Sequence, residues 1–154
     1  MLRLSRRGQT AIETLFIVAI VMAGIAVVVP AYLNENRTVS VAAYVRASAS
    51  HAADYINVGV AYNESPYTIL NPLLSNISGN PHLGLVNMTV SDNGTTVNIT
   101  LTFVSSTALP SSAPDLMESF IVEDVARNTN AGKSGSKLIY SNREIVVNVR
   151  VVRG

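Results

Sequence analysis

The spacing of apolar residues changes twice along this chain. From Leu15 to Leu33 (LFIVAIVMAGIAVVVPAYL) nineteen residues pass without a charged side chain. At about 1.5 Å per residue the stretch covers roughly 28 Å, close to the ~30 Å hydrocarbon core of a bilayer, and it predicts a membrane-length helix. From Val39 to Tyr62 apolar residues recur at three- and four-residue steps: Val41/Ala42, Val45, Ala49, Ala52, Ile56 and Gly59/Val60. Arg46, Ser50, Asp54 and Asn57 fall on the other side, which is the helical period. This stripe is narrow and alanine-rich, suited to close packing on a small domain or on neighbouring helices. Asn63-Glu64-Ser65-Pro66 ends it, with Pro66 as the breaker. The pattern therefore predicts one long helix over 9–62, apolar over 9–33, on the order of 80 Å if straight. Pro30 removes an interior helical hydrogen bond, so it either kinks the helix or marks the end of its membrane part.

Beyond residue 63 the period shortens to two. Leu83–Ser91 and Thr95–Val104 flank Asp92-Asn93-Gly94, where glycine accommodates the positive φ of a tight turn, and they predict a hairpin. Val97, Ile99, Leu101 and Phe103 alternate with Asn98, Thr100 and Thr102. Ser105–Pro114 reads as a loop, and 115–127 as a short helix opened by a capping box from Asp115 to Glu118. A strand through Phe120–Val125 is the alternative. A polar loop over 128–136 leads to a last hairpin, Leu138–Tyr140 and Glu144–Val152, around Ser141-Asn142. The fold class is thus α+β: a long N-terminal hydrophobic α-helix followed by a small antiparallel β-rich globular head at 63–154.

Charge orients the long helix. Arg3, Arg6 and Arg7 precede it with no acid among them, which places the N-terminus in the cytoplasm and everything after Leu33 outside. A cleaved secretory signal is the alternative, but its apolar region runs about 7–15 residues and ends in a small-x-small site. This run is longer and continues through Pro30 to Leu33. Only 14% of the 154 residues are charged, the net charge is +1, and there is no cysteine. Disulfide frameworks, thiolate metal sites and thiol catalysis are excluded, and nothing calls for nucleic acid. His51 and His82 lack further ligands at metal-binding spacing. Gly132-Lys133-Ser134 lacks the first glycine and the strand–helix frame of a phosphate loop. No catalytic constellation and no cofactor site can be nominated, so the expectation is a chain without enzymatic activity, cofactor or metal.

One acid breaks the apolar run at its mouth. Arg6-Arg7-Gly8-Gln9-Thr10-Ala11-Ile12-Glu13, followed at once by an apolar helix, resembles the class III signal peptide of archaeal type IV pilin-like proteins. That family's processing motif is Gln-x-Ser-x-Glu-x-x-x-Leu. Gln9 and Glu13 match it, while Ala11 stands at the Ser position and Ile17 at the Leu position. The resemblance covers about 25–30 residues and implies cleavage between Gly8 and Gln9 by a prepilin peptidase. The leader 1–8 is lost, Glu13 becomes the fifth mature residue and Pro30 the twenty-second, where these pilins often carry proline. Loss of three arginines takes the net charge from +1 to −2.

A filament subunit must be stored in lipid, then extracted by membrane assembly machinery and stacked through the same helix. Lipid provides little hydrophobic drive for helix association, so small residues such as Ala19, Ala23, Gly24 and Ala26 would set close packing. In a filament core the Glu13 carboxylate needs a partner. By the resemblance this is an N-terminal amine, its own or a neighbour's. If Gln9 cyclises, it becomes a backbone or hydroxyl donor such as Thr10 or Thr14. Six Asn-x-Ser/Thr sequons begin at Asn36, Asn63, Asn76, Asn87, Asn93 and Asn98, all beyond the apolar stretch. Fourteen Asn and 27 Ser+Thr predict about 2.5 by chance. N-linked glycans on the exterior face are therefore expected. The expected function is that of a pilin in an extracellular archaeal type IV pilus-like filament, a helical homopolymer at the cell surface serving adhesion. The alternatives are a DNA-transfer pilus or a membrane-anchored extracellular binding module with an uncleaved N-terminus.

Overall fold

The computed structural model describes residues 6–77 and 79–154. Residues 1–5 of the leader, the side chains over residues 6–9 with the Gly8|Gln9 processing pair, the Asn34 side chain and Ser78 of the Asn76 sequon lie outside the described residues. The chain divides into two units between Arg37 and Thr38.

The first unit belongs entirely to α1 (Arg6–Val58), which continues through Pro30. Every described side chain from Thr10 to Arg37 is exposed. Thr14 donates its hydroxyl proton to the Thr10 carbonyl, 2.9 Å away, so that hydroxyl is bound to its own helix.

In the second unit α1 becomes a core helix. Val41, Val45, Ala49, Ala52, Ala53 and Ile56 are buried, following the three- and four-residue steps of the sequence. The helix stops at Val58 rather than Tyr62. Gly59 adopts φ +70° and donates its N–H to the Tyr55 carbonyl at 3.2 Å, a left-handed stop that glycine accepts without strain. Gly59 and Val60 therefore leave the stripe and are exposed.

A short 3₁₀ turn (Tyr67–Ile69) and α2 (Asn71–Leu74) lead to a five-stranded sheet. Its strands are β1 (Gly84–Asp92), β2 (Thr96–Ser105), β3 (Gly132–Ser134), β4 (Lys137–Tyr140) and β5 (Arg143–Arg153), in the order β1-β2-β5-β4-β3. Three of the four pairings are antiparallel, as the two hairpins require, but the central β2–β5 pair is parallel. Parallel neighbours need a long crossover, and α3 (Ala113–Asn128) lies in it. The register sets Val97 against Ile145, Ile99 against Val147 and Leu101 against Val149. All six are buried on one face, with Met117, Phe120, Ile121 and Val125 of α3 in the same core.

The helical reading of 115–127 holds, whereas the capping box does not. The helix begins earlier, with Ser112 at the N-cap, no side-chain cap bond and Pro114 in the first turn. Asp115 therefore sits inside the first turn, where the helix dipole favours an acid. Part of the polar loop 128–136 pairs as β3, tied to α3 by Lys133 and Glu123 at 2.6 Å. Ser141 (φ +53°) and Asn142 (φ +63°) form the two-residue turn between β4 and β5.

Candidate functional site

The assembly candidates stand along the first unit. Fourteen large apolar side chains between Ile12 and Leu33 are exposed, from Val29 and Leu33 at 44% to Val27 at 75%. Burying such a side chain is worth about 1.5–3 kcal/mol, so leaving all of them in water costs on the order of 20–40 kcal/mol. That exceeds the stability of most domains, about 5–15 kcal/mol. The surface therefore needs an apolar environment that its own chain does not supply. By length and composition, with mean hydropathy 2.7 in its most apolar window, the helix is able to cross a membrane. Glu13, Ala19, Ala23, Gly24 and Pro30 are all exposed on it, and a Cβ placed on Gly24 would meet nothing within 4 Å. The alanines and Gly24 thus present bare backbone to whatever comes alongside.

The sequon asparagines separate by environment. Asn36 is exposed on α1, while its sequon hydroxyl, Thr38, is engaged at the base of the head. Asn63 lies in an exposed loop ahead of the cis Ser65–Pro66 bond. Asn76 donates Nδ2 to the Pro72 carbonyl at 2.8 Å. Asn93 sits in the β1–β2 turn with Oδ1 accepting from the Thr95 and Thr96 N–H groups and from the Thr95 hydroxyl, which leaves Nδ2 for attachment. Asn87 and Asn98 are strand residues, and strand alternation puts each Asn and its Thr on one side. The register pairs Asn87 with Thr102, Thr89 with Thr100 and Ser91 with Asn98, so both sequons share the face opposite the core. Both asparagines are exposed.

A polar cluster that the residue pattern did not single out lies where α1 enters the head. Arg143, at the start of β5, has a side chain only 9% exposed and is ion-paired to Asp92 at the end of β1. Its Nη1 donates to the Thr38 hydroxyl at 2.8 Å, and that hydroxyl donates to Asp92 Oδ2 at 2.9 Å. Asp92 Oδ1 also accepts the Gly94 N–H at 2.8 Å. The Arg143 hydrogen bond, then the Gly94 N–H, hold the Asp92 carboxyl down at about 2. Three elements distant in sequence thus meet at one guanidinium. Their sequence signal was slight: an arginine at the start of a strand otherwise apolar on its inner side.

His51 Nδ1 lies 3.7 Å from Asp124 Oδ2, and no group of three or more His, Cys, Asp or Glu residues placed to hold a metal occurs among the described residues. His82, at φ +40°, donates its N–H to Asn80 Oδ1 at 3.3 Å. Gly132-Lys133-Ser134 forms edge strand β3, not a loop opening a helix. Compared with known proteins, the chain matches no family model, no curated protein and no solved structure.

Proposed function

We propose that this chain is a pilin, the structural subunit of an extracellular archaeal type IV pilus-like filament, built by packing copies of α1 and serving adhesion. The observation that carries this reading is the exposed apolar half of α1. It is continuous with a half that carries the core stripe of a folded head. A helix used only as an anchor needs lipid alone. One that also follows a basic leader, Gly8-Gln9 and Glu13 carries the marks of a segment that is processed and then polymerised.

On this reading lipid holds the precursor, with its N-terminus in the cytoplasm. Cleavage after Gly8 removes three positive charges, and the apolar faces exchange lipid for neighbouring copies. Exposed small residues at Ala19, Ala23 and Gly24 favour close helix approach, since lipid adds little drive of its own. Glu13 would be desolvated in such a core and would demand a countercharge, which fixes the axial register between copies. The sequon-bearing sheet face would lie on the filament exterior and carry N-linked glycans.

Electron microscopy of material sheared from cells producing the chain tests the reading. Thin filaments containing it, and lost with its gene, are the expected result. If the chain is found only as dispersed membrane copies retaining Met1, it is an anchored binding module and the filament reading fails.

A further inference from the structure

Where α1 ends, its head unit carries a groove of about 470 Å³. Tyr55, Tyr62 and Tyr67 wall it, Val58 and Val60 form apolar lips, and His51 and Asp54 stand on the helical rim. The ring centroids of Tyr55 and Tyr67 are 4.9 Å apart at 43°, and those of Tyr62 and Tyr67 are 6.0 Å apart at 75°. The three rings pack on one another as one aromatic wall, in which Tyr62 is exposed and Tyr55 and Tyr67 are half-buried. Tyr67 also packs at 5.3 Å and a 52° tilt against buried Phe120 of α3, which anchors the wall to the core.

Backbone and side-chain bonds hold the groove in shape. The Tyr62 N–H donates to the Tyr55 oxygen at 2.7 Å, Tyr55 donates to Asn71 Oδ1 at 2.5 Å, and Asn71 Nδ2 donates to the Tyr62 carbonyl at 3.1 Å. Both backbone polar groups of Tyr62 are thereby fixed, yet the residue is 51% exposed. Val58 and Val60 are 69% and 65% exposed.

The fixed features that meet here carry negative potential. Aromatic faces have a negative quadrupole. The groove lies at the C-terminal end of α1, where the helix dipole is negative and cations are stabilising. The last turn holds no basic residue, and Asp54 directly precedes it, the opposite of what helix stability asks. Glu64, by its charge and a side-chain hydrogen bond, raises the Tyr62 phenol above its ordinary pKa, so its carboxylate lies beside the Tyr62 hydroxyl. Among the residues lining the groove the basic one is His51, 3.7 Å from Asp124, while outside the lining Arg127 Nη1 donates to the Ser65 carbonyl at 2.5 Å, next to Glu64.

We propose that this groove binds an organic cation, an alkylammonium or guanidinium group seated against the faces of Tyr62 and Tyr67 with Asp54 as counter-ion. Aromatic walls with a carboxylate favour such cations over strongly hydrated metal ions. The volume admits a side-chain head group or a small amine. The site does not depend on whether the chain polymerises.

The test uses the full-length chain dispersed in detergent micelles. Its six tyrosines and no tryptophan make intrinsic tyrosine emission the readout. Titration with tetramethylammonium and with guanidinium should each produce a saturable change at roughly millimolar concentration. The neutral isostere tert-butanol and matched sodium chloride should produce none. Asp54→Asn should weaken binding about 5–10-fold, and Tyr62→Ala should abolish it, with the circular-dichroism melt unchanged in both. An equal response to tert-butanol, or a response untouched by either substitution, overturns the proposal. Repeating the titration on assembled filaments separates the sources. A groove open only in dispersed chains takes a neighbouring copy's Arg or Lys, and one open in both takes a free amine. If no filaments form but the dispersed chain still binds the probes, the filament reading alone is lost.

Discussion

Substituting Asp92 by Asn removes one charge and puts an amide donor in place of the Oδ2 that accepts from the Thr38 hydroxyl. The Asn Oδ1 still accepts the Gly94 N–H, so the β1–β2 turn keeps its local bond. The larger loss is the charge facing Arg143, whose side chain is 9% exposed while that of Asp92 is 33% exposed. A fully buried pair broken on one side costs about 3–5 kcal/mol, because a naked charge stays behind. An exposed pair costs about 0–1 kcal/mol. With one partner buried and the other one-third exposed, we expect a loss of about 2 kcal/mol. Arg143 Nε has no hydrogen-bond partner among the described residues, so the guanidinium has little with which to compensate. For a head of this size the loss lowers Tm by about 8 °C, measurable by circular dichroism of the full chain in micelles. The double variant Asp92→Asn/Arg143→Met should recover most of it, since removing both charges leaves no orphan. A loss below about 0.5 kcal/mol would show that the cluster behaves as a surface pair. A double variant less stable than Asp92→Asn would also refute the reasoning.

Acid should expose the same pair. A carboxyl held at about 2 in the fold against 3.8 ordinarily contributes stability that is fully present above pH 4 and lost as pH falls toward 2. Wild-type Tm should therefore fall more steeply than that of Asp92→Asn between pH 4 and pH 2; parallel curves would contradict the assignment. Glu13→Ala should leave membrane insertion intact and reduce filament yield at least tenfold in sheared fractions, and normal filaments would remove its assembly role. Intact mass of chain recovered from cells should place the N-terminus at Gln9, or its cyclised form, and a retained Met1 would exclude leader processing. Glycopeptide mass spectrometry should find sugar on Asn87, Asn93 and Asn98 in chain recovered from its native host. Bare asparagine at all three would contradict the exterior assignment of that face.

Much of this protein was legible in one dimension because its determinants are local. An apolar run of membrane length, a three- and four-residue stripe from Val41 to Ile56, and period-two alternation from Val97 to Phe103 each state which side of an element faces an apolar phase. The turns at Asp92-Asn93-Gly94 and Ser141-Asn142 were legible for the same reason, since a tight turn depends on the conformations its own residues accept. The sequons were likewise readable as spacing alone, whereas the roles expected of Glu13 and Pro30 rest on the resemblance carried by Arg6–Glu13.

Pairings between distant segments were not. The same alternation in β2 and β5 suits a parallel or an antiparallel neighbour, and only the crossover carrying α3 brings them together in parallel. Gly59, which looked like one more small residue in a stripe, ends α1 because the loop that follows folds back, with Tyr62 bonded to Tyr55 and Asn71. Thr38, Asp92 and Arg143 are dispersed in the chain, and Tyr62 and Tyr67 lie beyond the end of α1; each is unremarkable where it stands in sequence. Packing a helix and a sheet face to face sets the ion pair at one end of the head and the aromatic groove at the other end of α1's core stripe. Local chemistry determines the elements, whereas their juxtaposition, a property of the closed core, decides which polar and aromatic side chains meet.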